Sequence, residues 1–378
     1  MITRRCALAL GMLPVAGAGA AWAVGAADAQ AASTAPAAPG TAGALAGPGA
    51  HTAAAGPAVP AVLREPALIT PRAAGAAMLA VARAGRRLVA AGERGIVRVS
   101  DDDGATWAQA RVPVQVSLTA LHFADARRGW AAGHLGVILR TDDGGATWTR
   151  QLDGIDLAGQ VLAAAPDEAA RQRAQRLVDE GPDKPFFDLD LAGARGLAVG
   201  AYGLAIETRD GGVRWQAVAP ARLPNPKSLH LYATRWLGQQ LFVAGEQGLL
   251  LRSSDGGETF EPLASPYKGS FFGLLATRAG SLIAYGLRGH AFRSTDAGNS
   301  WEKLETGVPL SLSAGIERAD GSLLLLAQNG DLLSSRDDGR RFERLPAVRP
   351  LPAAALAAGN GSQVVVAGLR GIERLNAP

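Results

Sequence analysis

The chain has 378 residues, 38 Lys and Arg against 34 Asp and Glu, and a formal net charge of +4. Because the charge is nearly balanced and no long basic run is present, we expect no nucleic-acid partner. The single cysteine, Cys6, excludes a disulfide within the chain and a cysteine-based metal site. We expect no cofactor and no bound metal.

Residues 1–31 have the pattern of an export signal. A basic start at Arg4 and Arg5 precedes an apolar stretch that ends in small residues at Ala29-Gln30-Ala31. An uncleaved membrane anchor is the alternative, and Sec and twin-arginine export both remain open. We expect a periplasmic protein. Residues 32–62, rich in Ala, Pro and Gly and without charge, predict a linker outside the fold.

The motif [Ser/Thr]-x-Asp-x-Gly-x-x-[Trp/Phe] recurs six times and indicates a repeat protein. A glycine stands five residues before each motif, usually with another three residues earlier, and apolar runs of strand length separate these signals. Each unit therefore predicts strand, turn, strand, turn, strand. The six aspartates, to which we assign a structural role in the turns, are Asp102, Asp143, Asp210, Asp255, Asp296 and Asp337.

A seventh unit begins at Gly368-Leu-Arg-Gly371, and the sequence stops where its aspartate motif would open. Because radial β folds close their ring to avoid an open strand edge, we expect residues 63–70 to supply the missing strand. The sequence thus predicts an all-β fold, a seven-bladed β-propeller of four-stranded blades over residues 63–378.

One step of the repeat is longer than the others. Trp148 and Trp215 lie 67 residues apart, whereas the last four motif aromatics are spaced by 41 to 45 residues. The extra sequence predicts a helix at about residues 167–180, with Ala174 and Leu177 on one face. A surface helix packed on the ring and a partner-docking element remain two interpretations.

The repeats resemble Asp-box, or BNR, repeats. The segment Gly-Trp-Ala-Ala-Gly-His-Leu-Gly-Val-Ile-Leu-Arg-Thr-Asp-Asp-Gly-Gly, residues 129–145, is similar to the photosystem II stability and assembly factor proteins and their bacterial relatives. The resemblance covers roughly residues 80–378 and implies a WD40/YVTN-like seven-bladed propeller with Asp boxes at outer turns. Calcium binding by these aspartates is the alternative, although one carboxylate per blade cannot gather six to eight oxygens.

Sialidases also carry Asp boxes and provide the enzyme alternative. They have six blades, and they need an arginine triad, a tyrosine and glutamate pair and an Arg-Ile-Pro motif that is absent here. The chain has no Gly-x-Ser-x-Gly motif, and its histidines lack metal-ligand spacing. We therefore expect no enzyme activity and no catalytic residues.

The residues between the paired glycines are the candidate binding residues, because these turns recur once per blade and should circle one face. Arg94, Arg288 and Arg370 share the third turn position and predict a basic patch for carboxylates of a protein partner. The family resemblance implies the same use of arginines; simple solvation of the surface is the other interpretation. The remaining candidates are His134, Tyr202, Gln247 and Asn329.

These features together predict a non-catalytic periplasmic scaffold or assembly factor. We expect a monomer that binds a protein partner, a membrane complex at its periplasmic side. The family resemblance implies photosystem II assembly. A sialidase-like glycoside hydrolase and an accessory protein of a membrane transporter complex are the alternatives.

Overall fold

The computed structural model describes residues 59–345 and 350–377, which form seven antiparallel sheets. The strands, numbered β1 to β27 in chain order, are Met78–Ala84, Arg87–Gly92, Val97–Ser100, Ala108–Gln109, Leu118–Phe123, Gly129–Gly133, Ile138–Thr141, Thr149–Leu152, Phe186–Ala192, Arg195–Gly200, Ala205–Thr208, Gln216–Ala217, Leu231–Leu237, Gln240–Gly245, Leu250–Ser253, Glu261–Pro262, Phe271–Ala276, Leu282–Gly286, Ala291–Ser294, Glu302–Leu304, Leu312–Glu317, Leu323–Ala327, Leu332–Ser335, Glu343–Leu345, Ala353–Ala358, Gln363–Gly368 and Gly371–Asn376.

Each sheet is one blade of a propeller. Its strands follow chain order, so that β1 to β4 form blade one and β25 to β27 form blade seven. The first strand of every blade contacts the first strands of the two neighbouring blades, and β1 contacts β25, which closes the ring. The predicted seven-bladed propeller is confirmed.

The hydrophobic core lies between the blades. The second strands are almost wholly apolar, as in Leu323–Ala327, because they are covered on both faces by neighbouring sheets. The aromatic residue that ends each motif packs against the preceding blade: Trp148, only 5% exposed, joins Val89 of blade one. Burial of such a side chain contributes roughly 1.5–3 kcal/mol, so the repeated aromatic holds successive blades together.

The aspartate motifs form six equivalent turns between the third and fourth strands, here called the aspartate turns. In blade two the Asp143 carboxylate accepts hydrogen bonds from the Thr147 backbone N–H (2.9 Å) and from the hydroxyls of Thr141 and Thr147 (2.8 and 2.6 Å). The Thr141 hydroxyl in turn accepts the Gly145 N–H at 2.9 Å. The Ser/Thr–Asp bond, the backbone N–H to Asp bond and the Gly N–H to Ser/Thr bond recur in all six copies.

Arginines connect several aspartate turns to the preceding blade. Arg87 of blade one donates to the Asp143 carbonyl oxygen at 3.3 Å, and Arg195 of blade three donates to the Gly256 carbonyl oxygen at 2.6 Å. Arg252 of blade four donates to the Ala297 carbonyl oxygen of blade five at 2.8 Å. These arginines therefore join neighbouring blades.

The insertion between blades two and three is a helical hairpin. Helix α1 is Gly154–Ala163 and helix α2 is Glu168–Glu180. Asp153 caps α1 by accepting the Ile155 and Asp156 N–H groups, and Asp167 caps α2 through the Ala170 N–H. The predicted helix corresponds to α2, with Ala174 buried as expected. Helix α1, which packs beside the turn His134–Gly136, was not predicted.

The predicted closing strand is wrong. Blade seven has three strands in the described residues, and residues 63–70 pack against blades one and two instead, with Leu63 and Ala67 buried in the cluster that contains Trp148. The Ala67 N–H donates to the Val112 carbonyl oxygen at 2.9 Å, while Leu68 and Ile69 are 69% and 66% exposed. The connection between these two blades offers backbone partners to this segment, so it does not reach the edge of β27.

Residues 1–31 and most of the predicted linker lie outside the described residues. Val59 and Val62, at the linker's end, pack against the cluster that contains Trp148. Within the described ranges, no helix has the length and apolar character needed to cross a membrane.

Candidate functional site

The turns between the second and third strands are here called the glycine turns. Each is hydrogen-bonded to the residue that precedes the first, innermost strand of its blade. In blade one the Glu93 N–H donates to the Ala77 carbonyl oxygen, and in blade seven the Leu369 N–H donates to that of Pro352. The first glycine is required by this docking, because a Cβ on Gly92 would lie 2.0 Å from the Ala77 carbonyl oxygen. The second glycine is required by the connection to the next blade: a Cβ on Gly289, whose φ is +74°, would lie 1.9 Å from the Val308 carbonyl oxygen. The glycine turns therefore surround the central channel at one face of the ring.

Every innermost strand carries a β-bulge at the end nearest the glycine turns. A bulge leaves one extra residue and redirects its side chain. The seven extra residues, here called the mouth residues, line one cavity of about 140 Å³ at the channel mouth. They are Leu79, Thr119, Phe187, Tyr232, Phe272, Ser313 and Ala354.

The mouth is asymmetric. Phe187, Tyr232 and Phe272 from three consecutive blades form an aromatic wall, with the Tyr232 ring centroid 5.4 Å from each of the other two. The remaining mouth residues are small or aliphatic. Tyr202 and His230 extend the wall outward: their rings lie 4.8 Å apart, and the Tyr202 N–H donates to His230 Nδ1 at 2.8 Å.

A cluster of charged groups lies deeper in the channel. Arg235 contacts Asp188 at 3.3 Å and Asp190 at 3.6 Å, and His122 Nδ1 lies 3.0 Å from Asp190. Burial raises the pKa of Asp188. Burial also acts to raise that of Asp190, but Arg235 and His122 outweigh it and lower the pKa. Both carboxylates also accept backbone N–H bonds, from Thr234 and Trp236. Their hydrogen-bonding capacity is thus largely used within the fold.

Arg94 and Arg288 occupy equivalent places in their glycine turns. Both are exposed, both have left-handed backbones (φ +52° and +58°), and neither has an ion-pair partner within the described part of the chain. Arg370 is also exposed, and its blade adjoins that of Arg94. Its turn is of another type, because Arg370 does not share the left-handed backbone of Arg94 and Arg288, whereas the glycine that follows has a positive φ in all three turns.

The other four predicted binding residues differ in their surroundings. His134 lines the channel mouth, where burial lowers its pKa. Tyr202 is 41% exposed beside the aromatic wall, and Gln247 is exposed in its own turn. Asn329 serves the backbone: its carbonyl oxygen accepts the Leu351 N–H, and its side chain accepts the Asp331 N–H.

The mouth residues are not among the residues predicted from the sequence. Each stands 13 or 14 residues before the first turn position, Gly92, Gly133, Gly200, Gly245, Gly286, Ala327 or Gly368. An alignment of the seven units would have identified this column. The direction in which these side chains point could not have been predicted, because a bulge reverses the alternation of side chains along a strand.

The six aspartates lie at the other end of the blades. The strands are antiparallel, so the aspartate turns and the glycine turns sit on opposite faces of the ring. Across residues 59–345 and 350–377, no three His, Cys, Asp or Glu side chains come together in a group that could hold a metal ion.

Comparisons with known proteins agree with this architecture. The sequence model of the family described as photosynthesis system II assembly factor YCF48 matches residues 168–306. The photosystem II assembly lipoprotein Ycf48 of Synechococcus sp. (strain CC9902) is 29% identical over 111 residues, which is 29% of this chain and 32% of that protein. The match thus spans about a third of the relative's length. The resemblance expected from the repeats is confirmed.

Solved structures extend the likeness to nearly the whole ring. YCF48 bound to D1 peptide has a TM-score of 0.59 at 18% identity and covers 86% of this chain and 100% of that one. YCF48 from Cyanidioschyzon merolae has a TM-score of 0.57 at 15% identity, covering 82% and 98%. The GH74 xyloglucanase from Xanthomonas campestris has a TM-score of 0.57 at 16% identity, covering 80% and 52%. At these identities the structures establish the fold alone.

Proposed function

We propose that this chain, which resembles the photosystem II assembly factors, is a non-catalytic periplasmic scaffold that binds a protein partner on its glycine-turn face. The partner belongs to a membrane complex, and Arg94, Arg288 and Arg370 bind its carboxylates. The resemblance to the photosystem II assembly factors makes that complex the first candidate. The peptide-bound structure of one such factor supports a protein segment as the ligand.

One observation carries the proposal: arginines stand exposed and without ion-pair partners where the turns leave their side chains variable. The nearby turn carboxylates are bound to the backbone instead of to these arginines. Glu93 accepts the Ala77 N–H and Glu246 accepts the His230 N–H, both at 3.0 Å. The face therefore keeps unpaired positive charge among its described residues. Arginine suits carboxylate recognition because its fork donates two parallel hydrogen bonds.

We further propose that the protein has no hydrolase activity, although GH74 enzymes share its fold. In glycoside hydrolases two carboxyl groups flank the bond that breaks. Here the carboxylates closest to the channel, Asp188 and Asp190, are bound to one guanidinium and to backbone N–H groups. Purified protein should release nothing from a fluorogenic sialoside or from xyloglucan. Turnover that disappears in Asp188→Asn would overturn this part of the proposal.

The binding proposal is tested by crosslinking in intact cells, followed by identification of the captured proteins. The double variant Arg94→Glu, Arg370→Glu should lose the partner that the unaltered chain captures. Arg336→Glu with Arg340→Glu is the matched control, because both arginines are exposed at an aspartate turn on the opposite face. Equal capture by both double variants would contradict the proposed face. Recovery of a transporter complex would identify the alternative partner.

A further inference from the structure

We infer that the channel mouth binds a single apolar side chain from an acidic segment of the partner. This rests on the proposed function and specifies its ligand: a short acidic stretch with one leucine- or phenylalanine-sized residue among its carboxylates. The arginines would bind the charges, and the mouth residues would bind the apolar group.

The size of the cavity sets the size of its occupant. At about 140 Å³ it is smaller than the 300–1,000 Å³ of ordinary small-molecule pockets. An apolar cavity of about 150 Å³ holds a benzene-sized group. One side chain of a larger ligand fits this space, whereas a complete nucleotide or sugar chain does not.

The chemistry of the lining favours an apolar group over a charged one. Phe187, Tyr232 and Phe272 present aromatic surface, and Leu79 and Pro185 add aliphatic surface. The polar lining residues are Thr119, Ser313, His134 and Gln328, and the hydroxyls of the first two donate to backbone carbonyl oxygens. A cationic side chain would be repelled by the arginines on the same face, and the carboxylates below are already paired with Arg235. A carboxylate inside the mouth would lose its hydration next to aromatic rings.

The arginines stand close enough to the mouth for one short segment to reach both. Glu93, beside Arg94, is hydrogen-bonded to Ala77, two residues before Leu79. Leu369, beside Arg370, is bonded to Pro352, two residues before Ala354, and Leu287, beside Arg288, to Ser270, two residues before Phe272. Two residues of strand span roughly 7 Å. An acidic residue one or two positions from the apolar one can therefore meet a guanidinium.

The test uses synthetic nine-residue peptides with four acidic residues and a central Phe, Leu or Ala, fluorescently labelled and titrated with the full chain. The Phe and Leu peptides should bind at least about tenfold more tightly than the Ala peptide, equivalent to about 1.4 kcal/mol. Equal affinity of the three peptides would overturn the inference. Tighter binding of a Phe peptide with lysines in place of the acids would overturn it too.

Two variants locate the binding. Ala354→Trp places a large side chain in the mouth without touching an arginine, and it should abolish the preference for Phe while leaving the melting temperature unchanged. Ala105→Trp is the control, because this exposed position of an aspartate turn is occupied by different residues in the other copies. If Ala354→Trp retains the Phe preference, the mouth is not the site.

The outcomes separate this inference from the proposed function. Loss of capture by the Arg94→Glu, Arg370→Glu variant together with equal affinities of the Phe and Ala peptides would support the scaffold and overturn the apolar mouth. A Phe preference that Ala354→Trp removes, combined with undisturbed capture by the double arginine variant, would support the mouth and contradict the arginine face.

Discussion

The two ends of each blade are built by opposite rules. At one end, six aspartate turns repeat the same hydrogen bond between a Ser or Thr hydroxyl and the aspartate. At the other end, the glycine turns of blades one to five share a backbone path with a left-handed third position, and their side chains differ from blade to blade. The difference indicates that side chains maintain the fold at the first end, whereas at the second they are available for binding.

The largest effect on the free energy of unfolding is expected from a change to the glycine-turn backbone. Gly289→Ala should lower the free energy of unfolding by at least about 3 kcal/mol, because the new Cβ would meet the Val308 carbonyl oxygen at a positive φ. Chemical denaturation followed by circular dichroism measures this. Gly75→Ala is the control: no atom lies within 4 Å of its Cβ position, and we expect a change within about 0.5 kcal/mol.

A change to an aspartate turn should have the next largest effect. Asp143→Ala removes the acceptor of three hydrogen bonds, and we expect it to destabilise the protein by about 1–2 kcal/mol without affecting partner capture. Asp142→Ala is the matched control, since the Asp142 side chain is exposed and forms a surface ion pair with Arg140. If Asp143→Ala abolished capture in a fully folded protein, the division between the two ends would be wrong.

Acid should weaken the aspartate-turn end. Hydrogen bonds from Ser300 and Ser294 lower the pKa of Asp296 to about 2, and those from Thr106 and Ser100 do the same for Asp102. A carboxyl whose pKa falls on folding stabilises the folded state above its unfolded pKa of about 4, and this contribution disappears as the pH falls towards about 2. Melting temperatures between pH 5 and 2 should therefore fall less steeply in Asp296→Asn than in the unaltered chain. Parallel curves would contradict this account.

The smallest effect on stability is expected at a variable glycine-turn position. Arg94→Glu should change the free energy of unfolding by less than about 0.5 kcal/mol, because the side chain is exposed and has no ion-pair partner among the described residues. Thermal unfolding alongside Asp143→Ala gives the comparison. A loss as large as that of Asp143→Ala would mean that this arginine belongs to the fold.

The repeated signals predicted most of the architecture. Six aspartate motifs with aromatic ends identified the blades, and Gly181 after a run of helix-forming residues identified the end of α2. Helix α1 was not predicted because its mixture of Gly, Ile, Asp and Leu lacks a strong helical pattern. The closing strand was wrong because the pairing of residues 63–70 depends on which backbone lies nearest, which local sequence does not reveal.

The site was predicted only in part. The glycine spacing located the turns and hence the arginines, since a repeated turn must return to the same face of a ring. It also suggested that Arg370 was equivalent to Arg94, whereas Arg370 lacks the left-handed backbone that Arg94 has. The mouth residues depend on bulges, which arise from the fit between neighbouring strands and leave no local residue signature.

The junction between blades one and seven differs from the other junctions of the ring. Among the described residues no sheet combines strands from two units, so all neighbouring blades pack through side chains, but blades one and seven are not also joined by a connecting segment of chain. Arg83 donates to the Ala358 carbonyl oxygen at 2.6 Å, and Trp107 packs on Val365 and Ile372. Contacts of this kind can separate without the loss of a β-ladder. We therefore expect the first opening of the ring, followed by amide hydrogen exchange, at this junction rather than between any other two blades.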